Sequence, residues 1–308
     1  MKALPLILIA GWGHTSEAML RLKTALDGHP MDGYPIQVTS TGELWQTQSG
    51  GTLPRMPGLS RYAVGLHNLL ASFGGRVDVI GWSMGSIVAL ETAREYPGLF
   101  QQLVIISGTA RFSAENDEFP GVSAAVLRAM ARGLRRTPDN VLAAYYNQVH
   151  APQGVPVHGN FPPEADPSTA DNLCSRDRWS RSSSCGRTKT DIADVGYSKC
   201  CSPIRIGEPD SMAKATMRGE AIAKLDCSEL LQGLDYLQRM DVRKGLNQIA
   251  VPTLVVHGRE DRIVPWQAGE WLSGALAVSN WCCYEGLGHA LPIQAAARLA
   301  ADIRSFLA

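Results

Sequence analysis

Short apolar runs alternate along the chain with segments whose apolar residues recur every three or four positions. The runs predict strands at 4–10, 35–39, 77–81, 102–107, 252–257 and 280–285. The helical spacing predicts helices at 16–27, 60–73, 85–96, 122–136, 139–149, 228–239, 266–276 and 292–307. Several of the runs are nearly continuous Val, Ile and Leu, as in strands that are buried on both faces. The alternation predicts an α/β fold in which a mostly parallel sheet is flanked by helices.

One long interruption separates the fourth predicted strand from the fifth. More than 140 residues lie between them, far more than one crossover helix requires. We therefore predict a core formed by residues 1–110 and 241–308, with an inserted helical cap at 111–240. Within the cap, residues 151–212 hold only nine Leu, Ile, Val, Phe or Met among 62 residues, but 21 Ser, Pro or Gly. Such a stretch cannot bury much apolar surface, so we expect a poorly ordered insertion there.

Composition and charge exclude several classes of protein. Lys plus Arg and Asp plus Glu both number 29, so the net charge is zero and neither a nucleic-acid coat nor a membrane-surface protein is expected. Hydrophobic residues make up 45% of the chain, which excludes wholesale disorder. The apolar run at 4–10 is too short to span a bilayer, and no cleavage-site residues follow it. We expect a cytoplasmic protein, and a monomer.

The cysteines give no sign of a disulfide framework or a metal site. The chain has seven of them, and two pairs are adjacent in sequence at 200–201 and 282–283. None has the spacing of metal ligands. We therefore expect no metal and no organic cofactor.

The sharpest chemical signal is the sequence Gly-Trp-Ser-Met-Gly at 81–85. It follows a predicted strand and precedes a predicted helix, which is the context that a nucleophile elbow requires. Such a turn projects its serine above the sheet and leaves little room two residues to either side, where glycine fits. The helix also points its N–H groups toward the serine. We therefore predict that Ser83 is a nucleophile.

A serine nucleophile needs a histidine base that is oriented by an acid. His289 lies just after the last predicted strand and just before the last helix, where it can reach the serine. In this order of motifs the acid precedes the histidine. Asp261, which follows the strand at 252–257, is the preferred acid, and the adjacent Glu260 is the alternative. His257 ends that strand, and we expect it to be packed in the interior.

Acyl transfer also needs N–H donors for the oxyanion of the tetrahedral intermediate. One donor should be the backbone N–H of Met84, immediately after the nucleophile. The other should come from the loop after the first strand, and we predict the N–H of Trp12, with its indole lining the pocket. His14 lies in the same loop, but the sequence gives it no supporting context.

The order and spacing of these motifs resemble the α/β-hydrolase fold family, and within it the pimeloyl-acyl-carrier-protein methyl ester carboxylesterases of biotin synthesis. The segments that carry the resemblance are Gly11–Gly13, Gly81–Gly85, Phe112–Val122, Leu230–Arg243, Gly258–Pro265 and Gly288–Ala290. The third and fourth of these are more particular to the esterase group than the triad motifs are. The sequence departs from the family at Ala10, where a histidine is usual, and it matches nothing recognisable at 151–212.

The resemblance implies a substrate and further site residues. The substrate is a methyl ester of a pimeloyl group carried on acyl-carrier protein, and Trp12, Ser83, Met84 and His289 match positions that contact it. A substrate-contacting segment of the second cap helix corresponds to Tyr145, Tyr146, Asn147, Gln148 and Val149. From the residues alone, the two tyrosines could equally be packing aromatics.

The first cap helix carries a cluster of arginines. One face is spaced for packing and comprises Val126, Leu127, Met130 and Leu134. Another face carries Arg128, Arg132, Arg135 and Arg136, which we call the arginine patch. In the resembling family, basic residues of the cap meet the acidic acyl-carrier protein. A solvated helix face is the alternative interpretation of the same residues.

These features predict a serine carboxylesterase with the triad Ser83, Asp261 and His289. Two other hypotheses stay open at this point. A broad-specificity esterase or lipase, or a related hydrolase of carbon–carbon bonds, would carry the same triad, because fold does not fix function. A binding protein built on an inactive hydrolase scaffold is the third, and the intact triad argues against it.

Overall fold

The computed structural model describes residues 5–27, 35–46, 56, 58–114, 119–152 and 225–308. The predicted insertion at 151–212 lies outside the described residues, except for its first two positions. The described residues of the sheet and of the inserted helices belong to one compact unit.

A six-stranded parallel sheet is the framework of that unit. The strands in chain order are β1 (Leu6–Ala10), β2 (Ile36–Ser40), β3 (Val77–Trp82), β4 (Phe100–Ile106), β5 (Ser113–Ala114), β6 (Val122–Ser123), β7 (Thr253–Gly258) and β8 (Ser279–Tyr284). The large sheet has the order β2-β1-β3-β4-β7-β8, and every neighbouring pair is parallel. The short strands β5 and β6 pair with each other. All six predicted strands are therefore present, within one or two residues of their predicted bounds.

Helices lie between the strands, as the alternation predicts. They are α1 (Leu20–Leu26), α2 (Thr41–Gln46), α3 (Arg61–Ala71), α4 (Met84–Glu95), α5 (Ala124–Leu134), α6 (Pro138–Val149), α7 (Cys227–Arg239), α8 (Trp266–Ala275), α9 (Leu291–Gln294) and α10 (Ala296–Leu307). Short 3₁₀ turns occupy Ser16–Met19, Pro97–Leu99 and Leu246–Gln248. In the described part of the chain, no helix has the length and apolar character needed to cross a membrane.

Two helix predictions need correction. The helix expected at 292–307 is divided into α9 and α10 by Ala295, whose φ of −131° is not helical. Helix α2 was not predicted, although it carries a capping box. The hydroxyl of Ser40 accepts from the N–H of Glu43 at 3.1 Å, and the Glu43 carboxylate accepts from the N–H of Ser40 at 2.8 Å. The sequence Ser-Thr-Gly-Glu at 40–43 therefore held a usable signal.

The central strands form the core because both of their faces are covered. Every residue of β1, β3 and β7 is buried. This burial explains why those strands are nearly continuous apolar runs rather than alternating ones. Because all six strands run in parallel, their carboxyl ends meet at one edge of the sheet, which is where Ser83, Asp261 and His289 follow their strands.

Three described helices, α5, α6 and α7, belong to the inserted segment, and α5 packs against the other two. The chain leaves and rejoins the core at one place. The N–H of Val242 donates to the Ala110 carbonyl at 2.9 Å, and the Arg111 guanidinium lies 3.4 Å from the Asp241 carboxylate. This junction falls at the predicted ends of the cap, and the division into core and cap stays a prediction.

The packing face predicted for α5 is partly wrong. Leu127 and Leu134 are buried, and Met130 is half-buried against the core, but Val126 is 49% exposed. Val126 immediately precedes Leu127, so it lies about 100° around the helix from that residue and misses the buried face. The apolar spacing along α7 predicts one helical face of Leu230, Leu231, Leu234 and Leu237; three of these are buried and Leu231 is half-buried.

A buried carboxylate joins α7 to the core. The Glu91 side chain on α4 accepts hydrogen bonds from the N–H and hydroxyl of Ser60, which caps α3, at 2.5 and 2.7 Å. It also accepts from the hydroxyl of Tyr236 on α7 at 2.9 Å. Burial raises the pKa of Glu91, and these hydrogen bonds oppose the rise. Three elements therefore converge on one acidic group.

Asp78 on β3 is a second buried carboxyl group, and few hydrogen bonds offset the cost of its burial. It is 2% exposed, and Oδ1 has no hydrogen-bond partner among the described residues. Burial raises the pKa of Asp78 to about 6, against a backbone hydrogen bond from Gln102 that lowers it. The folded protein therefore binds a proton at pH values where the unfolded chain has released it.

We expect Asp78 to make the protein less stable as the pH rises. The raised pKa means that the stabilising protonated form is fully present below about pH 4, and that its contribution is lost as the pH passes about 6. In Asp78→Asn this decline should disappear, so the variant should gain on the order of 2 kcal/mol relative to the native protein between pH 4.5 and 7.5. Urea unfolding at both pH values measures the difference, with the exposed carboxylate variant Asp27→Asn as control. Equal pH slopes in native protein and Asp78→Asn would contradict the assignment.

Candidate active site

Ser83 sits on a strained turn between β3 and α4. Its φ of 55° and ψ of −120° lie in a region that non-glycine residues rarely adopt. Its N–H donates to the carbonyl of Ile106 on β4 at 2.9 Å, which fixes the turn against the neighbouring strand. A Cβ on Gly81 would lie 2.7 Å from the Ser86 backbone, and one on Gly85 would lie 2.6 Å from the Ile9 carbonyl. Both glycines of the motif are therefore required by close backbone approach.

His289 and Asp261 lie together at the same edge of the sheet. His289 Nδ1 is 2.7 Å from Asp261 Oδ2, and both side chains are fully buried. The other carboxylate oxygen of Asp261 accepts from the N–H groups of Ile263 and Val264 at 2.8 and 2.9 Å. Burial raises the pKa of Asp261, but the nearby His289 and hydrogen bonds from two histidines outweigh it and hold the pKa well below its usual range. Asp261 is thus an ionised acceptor for the His289 N–H.

The backbone of His289 is also held in place. Its carbonyl accepts from the Trp82 indole N–H at 2.9 Å and from the Ser107 hydroxyl at 3.2 Å. Nδ1 is bonded to Asp261, so Nε2 is the ring nitrogen that the sequence-based prediction assigns to the serine proton. Nε2 is buried and has no hydrogen-bond partner among the described residues. Catalytic hydrogen bonds are often long before substrate binds, so the lack of a partner at Nε2 is compatible with the predicted role of His289 as a base.

The alternative acid, Glu260, points elsewhere. Its side chain has no hydrogen bond to either neighbouring histidine in the described part of the chain, and its Oε2 has no partner there. Burial, followed by the charge of Glu285, raises its pKa, whereas the pKa of Asp261 is lowered. The structure therefore brings Asp261, and not Glu260, to His289.

His257 belongs to this cluster, which the sequence did not indicate. It is fully buried, as predicted, but its Nε2 lies 3.1 Å from Asp261 Oδ2 and 3.0 Å from the Val264 carbonyl. A carbonyl only accepts, so Nε2 carries a proton and His257 also donates to Asp261. The four-residue separation in an irregular turn is why sequence reasoning missed the contact.

The loop after β1 approaches Ser83 closely. A Cβ on Gly11 would lie 2.7 Å from Ser83 Cβ and 3.3 Å from its Oγ. The next residue, Trp12, is 4% exposed, and its indole N–H donates to the Leu230 carbonyl of α7 at 2.9 Å. Met84 is buried and begins α4 directly after the nucleophile. Trp12 therefore follows the glycine that approaches Ser83, and Met84 follows Ser83 itself. These are the two residues that the sequence predicts as N–H donors to an oxyanion.

The predicted segment of α6 divides into two parts. Tyr145, Tyr146 and Val149 are buried, while Asn147 and Gln148 are exposed. The Tyr145 ring meets the Trp12 ring edge-on with centroids 4.7 Å apart. The two tyrosines therefore lie at the loop after β1, and the two amide residues face away from the interior.

A cavity of about 200 Å³ lies beside the same loop. Its walls include Trp12 and Thr15 from the loop, Ser40 and Glu43 from the β2–α2 junction, and Glu229 from α7. Neither Ser83 nor His289 lines it. The cavity therefore shares Trp12 and Gly13 with the loop that contacts Ser83, but it includes neither Ser83 nor His289. Within the described ranges, no group of three or more His, Cys, Asp or Glu is placed to hold a metal ion.

Comparison with known proteins identifies the family. A family model described as alpha/beta hydrolase fold matches residues 69–296. The chain therefore belongs to the α/β hydrolase fold family.

Curated relatives of known name are similar to most of the chain. The chain is 26% identical over 245 residues to a pimeloyl-[acyl-carrier protein] methyl ester esterase of Neisseria meningitidis serogroup B / serotype 15 (strain H44/76), covering 80% of this chain and 74% of that one. It is 24% identical over 301 residues to a protein of the same name from Aromatoleum aromaticum, covering 92% and 90%. The resemblance expected from the motifs is thus confirmed.

Solved structures agree on the fold. An esterase from Exiguobacterium antarcticum superposes with a TM-score of 0.70 at 15% identity, covering 99% of this chain and 91% of that one. An enol-lactonase from Burkholderia xenovorans LB400 gives a TM-score of 0.66 at 16% identity, covering 100% and 92%. Together the comparisons confirm the predicted fold and the prediction of a hydrolase that acts on ester bonds.

We expect Gly11→Ala to slow the reaction of Ser83 although Ser83, Asp261 and His289 themselves are unchanged. The added methyl group would collide with the serine Cβ, and misplacement of a reacting atom by a fraction of an ångström to an ångström costs on the order of 10²-fold in rate. The rate at which a fluorophosphonate labels Ser83 measures the effect. Gly98→Ala is the matched control, because a Cβ there meets nothing within 4 Å. If Gly11→Ala is labelled as fast as the native protein, the loop after β1 can move away from Ser83 and the prediction is wrong.

Proposed function

We propose that the protein is a serine carboxylesterase in which Ser83, His289 and Asp261 act as nucleophile, base and acid. The observation that carries the proposal is the convergence at one sheet edge of a strained Ser83 and a His289 that donates to a buried carboxylate at 2.7 Å. Strained backbone is typical of functional sites, where the surrounding structure holds an otherwise unfavourable conformation.

The proposed reaction has two stages. Ser83 Oγ attacks the ester carbonyl while His289 Nε2 removes its proton, and the same proton then passes to the leaving alcohol. The backbone N–H groups of Trp12 and Met84 stabilise the oxyanion of each tetrahedral intermediate. Water then attacks the acyl-enzyme with His289 again as base, and the acid product leaves. Asp261 keeps Nδ1 protonated throughout and stabilises the charged imidazole.

We further propose that the ester is the methyl ester of a pimeloyl group on acyl-carrier protein. The names of the relatives from Neisseria meningitidis and Aromatoleum aromaticum support this substrate. Their similarity extends along most of the chain, so it includes the described cap helices as well as the core. A broad-specificity esterase is the rival, because proteins of the same fold include esterases and an enol-lactonase.

A substrate panel separates the two. Carrier-linked pimeloyl methyl ester should be hydrolysed with a kcat/KM well above those of short p-nitrophenyl esters. Comparable values on all esters would favour the broad-specificity enzyme. An absence of hydrolysis with intact binding of the carrier-linked ester would favour an inactive binding protein.

The triad residues should behave as one unit. Ser83→Ala and His289→Ala should each lower kcat by on the order of 10³-fold or more, and the double variant should lose little further, because neither residue works without the other. Steady-state kinetics on p-nitrophenyl butyrate measures all three. Losses that multiply in the double variant would argue against a shared mechanism.

The acid has a matched control in the neighbouring residue. Asp261→Asn should cost far more activity than Glu260→Gln, because only the carboxylate of Asp261 orients the His289 ring. The reverse order would reassign the acid.

The arginine patch is the proposed contact for the carrier. Arg128, Arg132, Arg135 and Arg136 are all exposed. None of them forms an ion pair with another described residue, which leaves the cluster as a local excess of positive charge in a chain of zero net charge. Charges at the rim of an interface mainly set the association rate and its sensitivity to salt.

Reversal of two of these charges should affect only the carrier-linked substrate. We expect Arg128→Glu with Arg132→Glu to lower kcat/KM for the carrier-linked ester by about tenfold or more. Hydrolysis of a small p-nitrophenyl ester should barely change, because its chemistry lies at Ser83. Added salt should weaken the first reaction in the native protein and spare the second.

The control is Arg21→Glu with Arg76→Glu, which makes the same change in net charge at exposed core positions outside the patch. Equal loss in the control would indicate a general effect of charge. Equal loss on both substrates in the patch variant would indicate that the arginines support the cap. No loss on either would leave them as a solvated face.

A further inference from the structure

Two tyrosines of the inserted helix α6 bond to the backbone of the loop after β1. The Tyr145 hydroxyl donates to the Trp12 carbonyl at 3.0 Å, and the Tyr146 hydroxyl donates to the carbonyl of the next residue, Gly13. The tyrosines are 8% and 2% exposed. Burial raises the pKa of both phenols, so both hydroxyls stay protonated and donate. Successive carbonyls of one loop are thus held by successive residues of one helix.

A third donor reaches the same loop from within. His14 Nδ1 lies 3.0 Å from the Trp12 carbonyl, and because a carbonyl only accepts, this nitrogen carries the proton. Burial lowers the pKa of His14 to about 3, against the hydrogen bond to Trp12, so the ring is neutral. The His14 ring also contacts Tyr146, with centroids 5.3 Å apart. The Trp12 carbonyl therefore accepts hydrogen bonds from two side chains, Tyr145 and His14.

The held carbonyls are covalently close to the proposed oxyanion donor. The Trp12 N–H and the Trp12 carbonyl belong to consecutive peptide units, and each unit is planar, so only the φ and ψ angles of Trp12 lie between them. The next residue, Gly13, has a φ of 71°. Because glycine lacks a side chain, the backbone at this position would have wide conformational freedom without the hydrogen bonds. Hydrogen bonds to the carbonyls of Trp12 and Gly13 therefore limit the direction in which the Trp12 N–H can point.

We infer that the hydroxyls of Tyr145 and Tyr146 are positioning groups that aim the Trp12 N–H at the oxyanion, so that the inserted helix α6 sets the geometry of the catalytic loop. This inference rests on the proposed function and deepens it. It also assigns these side chains a role different from direct substrate contact, because each hydroxyl is already bonded to the loop. A preorganised donor acts mainly on the transition state, where the oxyanion forms.

The test is removal of each hydroxyl with retention of the ring. Tyr145→Phe and Tyr146→Phe keep the aromatic packing against Trp12 and His14 and remove only the hydrogen bonds. We expect each to lower kcat on p-nitrophenyl butyrate by on the order of tenfold, with KM changed less than twofold. The inhibition constant of a trifluoromethyl ketone, which forms a tetrahedral adduct with the serine, should rise by the same factor as kcat/KM falls.

Tyr284→Phe is the matched control. The Tyr284 hydroxyl is also buried and donates to Asp302 on α10, so its loss costs a comparable hydrogen bond elsewhere in the core. Its kcat and ketone inhibition should stay within twofold of native values. Thermal unfolding of all three variants separates lost stability from lost positioning.

Amide hydrogen exchange at Trp12 and Gly13 provides a readout that does not depend on activity. Exchange there should accelerate in Tyr145→Phe and Tyr146→Phe but not in Tyr284→Phe. If the native protein hydrolyses no ester, the proposed function fails, and the exchange rates still decide whether the phenols hold the loop.

Three outcomes would overturn the inference. If amide exchange and kcat are both unchanged, the two hydroxyls do not position the loop after β1. A raised KM with unchanged kcat would mean that the tyrosines bind substrate directly. A reduced kcat with unchanged ketone inhibition would mean that they act on a step other than oxyanion stabilisation.

Discussion

The whole site depends on one steric constraint, which is the close approach of three backbone segments around Ser83. The turn can form only because Gly11, Gly81 and Gly85 have no side chains, since a Cβ at each position would lie within 2.7 Å of a neighbouring atom. The unfavourable φ of Ser83 costs on the order of 1–3 kcal/mol, which the surrounding sheet must offset. The N–H bond to Ile106 and the burial of β1, β3 and β4 supply that support. Ser83 is therefore positioned by the buried centre of the sheet.

The acid end of the site is built on a different principle, which is saturation of one carboxylate with donors. Asp261 receives two backbone N–H groups on one oxygen and two histidine N–H groups on the other. Fully satisfied buried charges are rigid, because any movement leaves a donor or acceptor without a partner. His257 thus completes the surroundings of Asp261 by sharing with His289 the oxygen Oδ2 of that carboxylate. The result is a fixed direction for the His289 ring.

Features that depend on local sequence pattern could be predicted. Contacts between residues that lie far apart in the sequence could not. The strands, the elbow at Ser83 and the pairing of Asp261 with His289 follow from apolar runs and from motif order in this fold. The bonds from Tyr145 and Tyr146 to the loop span 133 residues each, and no local pattern encodes them. Val126 shows the limit on a smaller scale, since an apolar residue at a helical spacing can still face solvent. Helix α2 was missed for a different reason, because its capping box lay directly at the end of a strand.

Glu91 has a consequence for any attempt to exchange one cap for another. Its carboxylate, fully buried in the core, relies on the Tyr236 hydroxyl of α7 for one of its three hydrogen bonds. A chimera that keeps this core but receives a foreign cap would leave that oxygen short of a donor, at a cost of about 1–3 kcal/mol. The inserted helices therefore cannot be exchanged independently of the core. The recipient helix must bring a phenol or an equivalent donor to the same position, or the core must lose the carboxylate along with its original cap.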